Sequence, residues 1–118
     1  MDPSDAFLTG TGASPGIASG TARTIHSVDQ FSTVRAGEIL VCRTTDPAWT
    51  PLFGVAGAII TETGGMLSHA AIVAREFGIP AVLGIPNALT RIRTGTTLDV
   101  DGTRGTVRQQ PAIPGAGT

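Results

Sequence analysis

The sequence predicts an α/β or α+β fold on three observations. It is rich in Gly, Thr, Ala and Val and poor in aromatics, short β-prone runs recur between turn signals, and one segment has strong amphipathic helical character. At 118 residues the chain has the size of one domain and can bury a core without disulfide or metal staples.

The elements follow in order. Residues 1–11 are polar and carry Pro and Gly, and residues 109–118 (QQPAIPGAGT) hold two prolines and two glycines without a charge. Tails are expected at 1–9 and 109–118, flanking a domain at 10–108. Strands are expected at residues 21–26, 38–42, 58–61, 80–84, 97–101 and 105–108. In LDVDGTRGTV, Asp101-Gly102 opens a turn that Gly105 closes, which predicts a hairpin. Helical potential occurs at residues 28–34, in DPAWTPLF after Asp46, in 68–77 and briefly in NALTRI. The third is the strong one: Ser68 is an N-cap, three alanines favour helix, and Gly78 with Pro80 beyond it stops the chain.

Composition excludes several functions. The eight basic residues are scattered arginines with no lysine, so there is no basic stripe for nucleic acid or anionic lipid, no Schiff-base lysine and no P-loop lysine. Cys42 lies in the apolar run EILVC and reads as a small buried hydrophobe. No apolar run is long enough to span a bilayer and residues 1–7 do not form a signal peptide, so a cytoplasmic location is expected.

The chemistry concentrates in TETGGMLSHAAIVAREFGIPAVLG, residues 61–84. A strand ends at Thr61, a glycine loop follows, and His69 falls in the first turn of a helix, whose free N–H groups bind anions and phosphate above all. Gly64 and Gly65 allow close approach of a phosphoryl group to the backbone, and Thr61, Thr63 and Ser68 supply hydroxyls. The helix dipole disfavours an imidazolium, so His69 is expected neutral with one ring nitrogen free as a nucleophile, provided an acceptor holds the other N–H. The same residues also admit a plainer reading, in which Ser68 caps a helix, the glycines make a turn and His69 is an exposed first-turn residue.

Elsewhere the signals are structural. GTGASPG at Gly10 has the wrong glycine spacing for a dinucleotide fingerprint, no expected strand before it, and an interrupting proline. Two lone histidines and one cysteine lack metal-ligand spacing, so no metal site is expected, and His26 reads as a strand-end residue. Asp99 reads as solvent-facing, Asp101 as a turn residue and Trp49 as core. Arg75, six residues beyond His69, is displaced around the helix and reads as a surface arginine or a phosphate or docking contact.

The 61–84 stretch closely resembles the active-site signature of the phosphohistidine, or swivelling, domain of phosphoenolpyruvate-utilising enzymes. GASPGIASGTARTI, EILVCRTTDPAWTPLF and GTTLDVDGTRGTV extend the likeness over nearly the whole chain. The resemblance implies a compact swivelling β/β/α domain whose histidine shuttles a phosphoryl group between two active sites. His69 matches the phosphorylated histidine, Gly64, Gly65 and Ser68 its phosphate cradle, and Thr61 and Arg75 further motif positions. It implies no cofactor bound by this domain, with Mg²⁺ and ATP or phosphoenolpyruvate held by partners: an ATP-grasp nucleotide-binding domain or protein, and one that binds phosphoenolpyruvate or the acceptor.

Two features depart from the family pattern. Where pyruvate phosphate dikinases and phosphoenolpyruvate synthases place a regulatory threonine, two residues before the histidine, this chain has Leu67. The nucleotide and phosphoenolpyruvate domains have no counterpart in it, so the chain by itself is not expected to turn over. The expected function is that of a phosphocarrier; the alternative is a noncatalytic docking module that keeps the swivelling fold.

Overall fold

A computed structural model describes residues 6–110; of the expected tails, residues 1–5 and 111–118 lie outside the described residues. Along the chain run β1 (Phe7–Thr9), β2 (Thr11–Ser14), β3 (Ile17–Ile25), β4 (Ile39–Cys42), α1 (Thr50–Phe53), β5 (Ala58–Thr61), α2 (His69–Phe77), β6 (Ala81–Leu83), α3 (Ala88–Arg91), β7 (Thr97–Asp101) and β8 (Thr106–Gln109). Short 3₁₀ helices occupy Val28–Thr33 and Pro47–Trp49. All six expected strands form, and β5 and β7 have the expected bounds.

The strands make one sheet in the order β1-β8-β7-β3-β4-β5-β6-β2. β3 serves both halves of it. Its residues Ala22 to Ile25 pair in parallel with β4, while Ile17 to Thr21 pair antiparallel with β7. β4, β5 and β6 continue the parallel half. β7 and β8 form the hairpin expected from LDVDGTRGTV, in which the Asp101 carboxylate accepts the amides of Thr103 and Arg104.

Two apolar clusters fill the two faces of the parallel strands. Leu40, Cys42 and Ile59 face one that contains Trp49, Phe53, Ala71 and Ala74 from the helices; Ile39, Val41 and Ile60 face the other, with Leu98, Val100 and Val107 of the antiparallel half. Burial on both faces explains why β4 and β5 read as unbroken apolar runs. The resulting layers are the α/β architecture that the sequence predicts.

Two strands were not foreseeable from composition. β1 lies within the expected N-terminal tail, where Leu8 is buried and Phe7 to Thr9 pair with β8. β2 pairs with β6 and occupies the TGAS of GTGASPG, so a strand does precede and fill that motif, and it opens no helix. Both are three- or four-residue strands created by long-range pairing rather than by an apolar pattern. β8 likewise extends to Gln109, which is buried, into the expected C-terminal tail. Close backbone approach fixes one glycine here: a Cβ on Gly102 would lie 1.9 Å from the Ser14 carbonyl oxygen.

Candidate active site

The site gathers at the carboxyl ends of β4 and β5, where loops of an open parallel sheet converge. The loop after β5 leads to Ser68, whose extended backbone caps α2 and whose hydroxyl accepts the Ala71 amide. The Ser68 carbonyl takes the Ile72 amide, leaving those of His69 and Ala70 at the open mouth of the first turn. At the other end, Gly78 adopts the left-handed conformation expected of a C-terminal stop.

Gly64 has φ +108°, a conformation open essentially to glycine, and it lets the chain turn back from β5 toward Ser68. Gly65 is exposed without positive φ, and its carbonyl accepts the Ser68 hydroxyl at 2.7 Å. Gly64, Gly65, Ser68 and His69 thus form one continuous wall.

His69 is half-buried, and both of its ring nitrogens meet threonine hydroxyls. Thr45 Oγ1 lies 2.8 Å from Nδ1, and Thr50 Oγ1 lies 3.4 Å from Nε2. The Phe53 ring stands edge-on to the imidazole, with centroids 5.9 Å apart and planes at 87°. The ring is therefore gripped from the loop after β4 and from α1, not from its own loop. Sequence reasoning left the acceptor of the second N–H unnamed. The available signal was the hydroxyl-rich TTDPAWT after β4, which parallel pairing with β5 carries to the same sheet end.

Of the remaining expected residues, Thr61 and Arg75 bond to backbone carbonyls, whereas His26 and Trp49 take their expected places. Thr61 is fully buried and its hydroxyl donates to the Thr63 carbonyl; Thr63 donates to the Arg43 carbonyl. Both hydroxyls brace the loop. Arg75 is exposed, with Nε donating to the Ala13 carbonyl at 2.8 Å and Nη2 to the Met66 carbonyl, so its guanidinium ties β2 to the glycine loop. His26 is exposed next to the end of β3, Trp49 is buried edge-on to Phe31, and Asp99 accepts from Ser19, Arg108 and Gln110. The Ser19 hydrogen bond leads in holding the Asp99 carboxyl below its ordinary range. Among the described residues no cluster of three or more His, Cys, Asp or Glu could hold a metal ion.

Comparison with known proteins meets this geometry directly. The profile described as "PEP-utilising enzyme, mobile domain" matches residues 34–105, a span that contains the glycine loop, His69 and both threonines. The chain belongs to this mobile-domain family. An uncharacterized phosphotransferase of Bacillus subtilis, YvkC, is 53% identical over 100 residues, which are 85% of this chain and 12% of that protein. The phosphoenolpyruvate synthase of Aeropyrum pernix is 44% identical over 104 residues, 87% of this chain and 13% of that one. The mobile domain thus spans about an eighth of the length of these relatives. The solution structure of Enzyme I (nEIt) superposes with a TM-score of 0.60 at 30% identity, over 71% of this chain and 35% of that one. Among the described residues no helix is long and apolar enough to cross a membrane.

Proposed function

We propose that this mobile domain is a phosphocarrier whose nucleophile is Nε2 of His69. The observation that carries the reading is the pair of threonines around the imidazole. With its proton on Nδ1 and accepted by Thr45 at 2.8 Å, the ring keeps a lone pair on Nε2 at the mouth of the site. Nε2 attacks the phosphorus of an ATP- or phosphoenolpyruvate-linked donor; the N–P bond forms as the P–O bond to the leaving group breaks, and the leaving group keeps the electron pair. The ring turns cationic as this happens, and Thr45 then accepts a charge-assisted hydrogen bond. Backbone amides at the start of α2 face the phosphoryl oxygens.

Partner domains or proteins hold the donor and the acceptor, an ATP-grasp unit and a phosphoenolpyruvate- or acceptor-binding unit, with Mg²⁺ supplied alongside the donor. The names of the relatives, a phosphotransferase and a phosphoenolpyruvate synthase, support this division of labour, as does the small share of them that the chain spans. The reaction belongs to the cytoplasm, where both donors are made. Transfer by a carrier requires brief docking at each partner, and a tether to them raises its effective concentration.

One observation favours a second reading, a docking module that carries no phosphate. Leu67 is 88% exposed, and Met66, Ile72 and Phe77 beside it on the loop and helix are about half exposed, so apolar surface rings the site. Intact-mass measurement at neutral to alkaline pH separates the two, after wild-type and His69→Ala chains are incubated with ATP or phosphoenolpyruvate and cell extract proven on a known carrier. One acid-labile phosphoryl group on the wild type alone is the expected result. Its absence with both donors favours docking without phosphate.

A further inference from the structure

Thr50 opens α1 from the loop after β4, is half-exposed, and directs its hydroxyl at His69 Nε2 from 3.4 Å. Among the described residues, that nitrogen is the one hydrogen-bond partner of Oγ1. The contact differs in kind from the one at Thr45. Thr45 is buried at 2.8 Å from Nδ1, a place suited to a permanent bond, whereas Thr50 holds a long bond to the atom that carries the lone pair.

We propose that Thr50 is a catalytic residue that exchanges its acceptor during phosphorylation, donating to Nε2 in the free domain and to a phosphoryl oxygen in the phosphohistidine. The inference rests on the phosphocarrier reading and adds a residue to that site. Three constraints support it. The Nε2 lone pair cannot accept from Thr50 and bond phosphorus at once, so the hydroxyl must let go when the N–P bond forms. A phosphoryl group on Nε2 brings three strong acceptor oxygens one bond further out. A hydroxyl 3.4 Å from the nitrogen lies beside the place where those oxygens arrive, and its hydrogen turns toward one of them by rotation about the Cβ–Oγ bond. In the resting domain the same hydroxyl favours the Nδ1–H tautomer, so one side chain prepares the nucleophile and then receives the product. No proton is transferred by Thr50 in either state; the hydroxyl hydrogen only changes its acceptor.

The test uses potassium phosphoramidate, a small phosphoryl donor that needs no partner protein, on wild type, Thr50→Val and Thr50→Ser, with His69→Ala as the blank. ³¹P NMR titration then follows the second ionisation of the attached phosphoryl group. A hydrogen bond to the dianion favours it over the monoanion. The expected result is attachment at Nε2, with an ionisation constant about tenfold smaller in Thr50→Val, hence a titration shifted up by about one pH unit. Thr50→Ser is expected to titrate like wild type. In the unphosphorylated chains, the ¹⁵N resonance of Nε2 is expected to move in Thr50→Val and not in Thr50→Ser. Equal titration of all three phosphorylated chains overturns the role of Thr50 and leaves the carrier reading standing. Absence of a phosphoryl group on wild-type His69, or its attachment at Nδ1, overturns both.

Discussion

The hydroxyl of Thr45 lies 2.8 Å from Nδ1 of His69, joining the loop after β4 to the first residue of α2. In the proposed phosphocarrier, this contact gives the ring an acceptor for its Nδ1 proton as it becomes cationic. Thr45→Val keeps the side-chain volume and removes that acceptor. A hydrogen bond to a charged group contributes about 1.5–3 kcal/mol, so phosphorylation of His69 is expected to slow by about ten- to a hundredfold. Thr45→Ser is expected to recover most of the rate. Quench-flow intact-mass kinetics checks both, and an unchanged rate in Thr45→Val removes the hydroxyl from the mechanism.

Gly64 joins β5 to the wall of the site with φ +108°. An alanine there takes a conformation costing about 1–3 kcal/mol, and its Cβ would stand 3.1 Å from Ser68 Oγ. Urea unfolding of Gly64→Ala is expected to show a loss in that range. Gly65→Ala is expected to be milder, since a Cβ there meets nothing within 4 Å and the backbone has no positive φ.

Arg75 distinguishes bracing from charge. Its guanidinium spans the carbonyls of Ala13 and Met66, which a lysine cannot reproduce with one ammonium group. Arg75→Lys is expected to behave like Arg75→Ala, with faster hydrogen exchange in residues 64–68 and a stability loss of about 1 kcal/mol. Full rescue by lysine would instead identify the positive charge as what the site requires.

The legible parts of the sequence were the local ones. Ser68, His69 and Gly78 belong to a single helix whose start, stop and glycine approach are written in consecutive residues, and each takes the expected position. Thr45 and Thr50 were missed because their contact with His69 exists only once β4 and β5 lie side by side, and no spacing within one segment encodes that. β1 and β2 were missed for a related reason. A strand with little apolar pattern is selected by its partner, and the partners β8 and β6 lie far along the chain. Arg75 is exposed, as the surface reading expects, but helical spacing reports the face of a side chain and not the carbonyls of Ala13 and Met66 at its tip.

Cys42 is fully buried, and desolvation, helped by the charge of Glu62, pushes its thiol up to about 12. At pH 8 almost no thiolate exists in the folded chain, and no reagent can reach it. Ellman's reagent is expected to label Cys42 only as fast as the chain unfolds, and to label it at once in denaturant. Fast labelling of the native chain would contradict the packing of β4 between its two apolar clusters.

Glu38 precedes β4 and joins that strand's start to β3, accepting from Arg23 Nη2 at 2.9 Å, Arg23 Nε at 3.1 Å and the Arg35 amide at 2.7 Å. The Arg23 hydrogen bonds are the largest influence and outweigh desolvation by burial, so the carboxyl titrates below its ordinary 4.5. A group whose folded pKa is depressed binds its proton more readily when unfolded. The stability it contributes is therefore fully present above the unfolded value and is lost as pH falls through the folded one. The urea midpoint of the wild type is accordingly expected to hold level in pH from 7 to about 5 with respect to this group, and to fall below about 4.5. Glu38→Gln cannot titrate: its midpoint is expected to be lower at pH 7, where it lacks the ion pair, and to decline less between pH 5 and pH 3. An acid limb as steep as that of wild type would move the source of acid sensitivity to Asp99, whose carboxyl is also depressed and which Asp99→Asn tests in the same way.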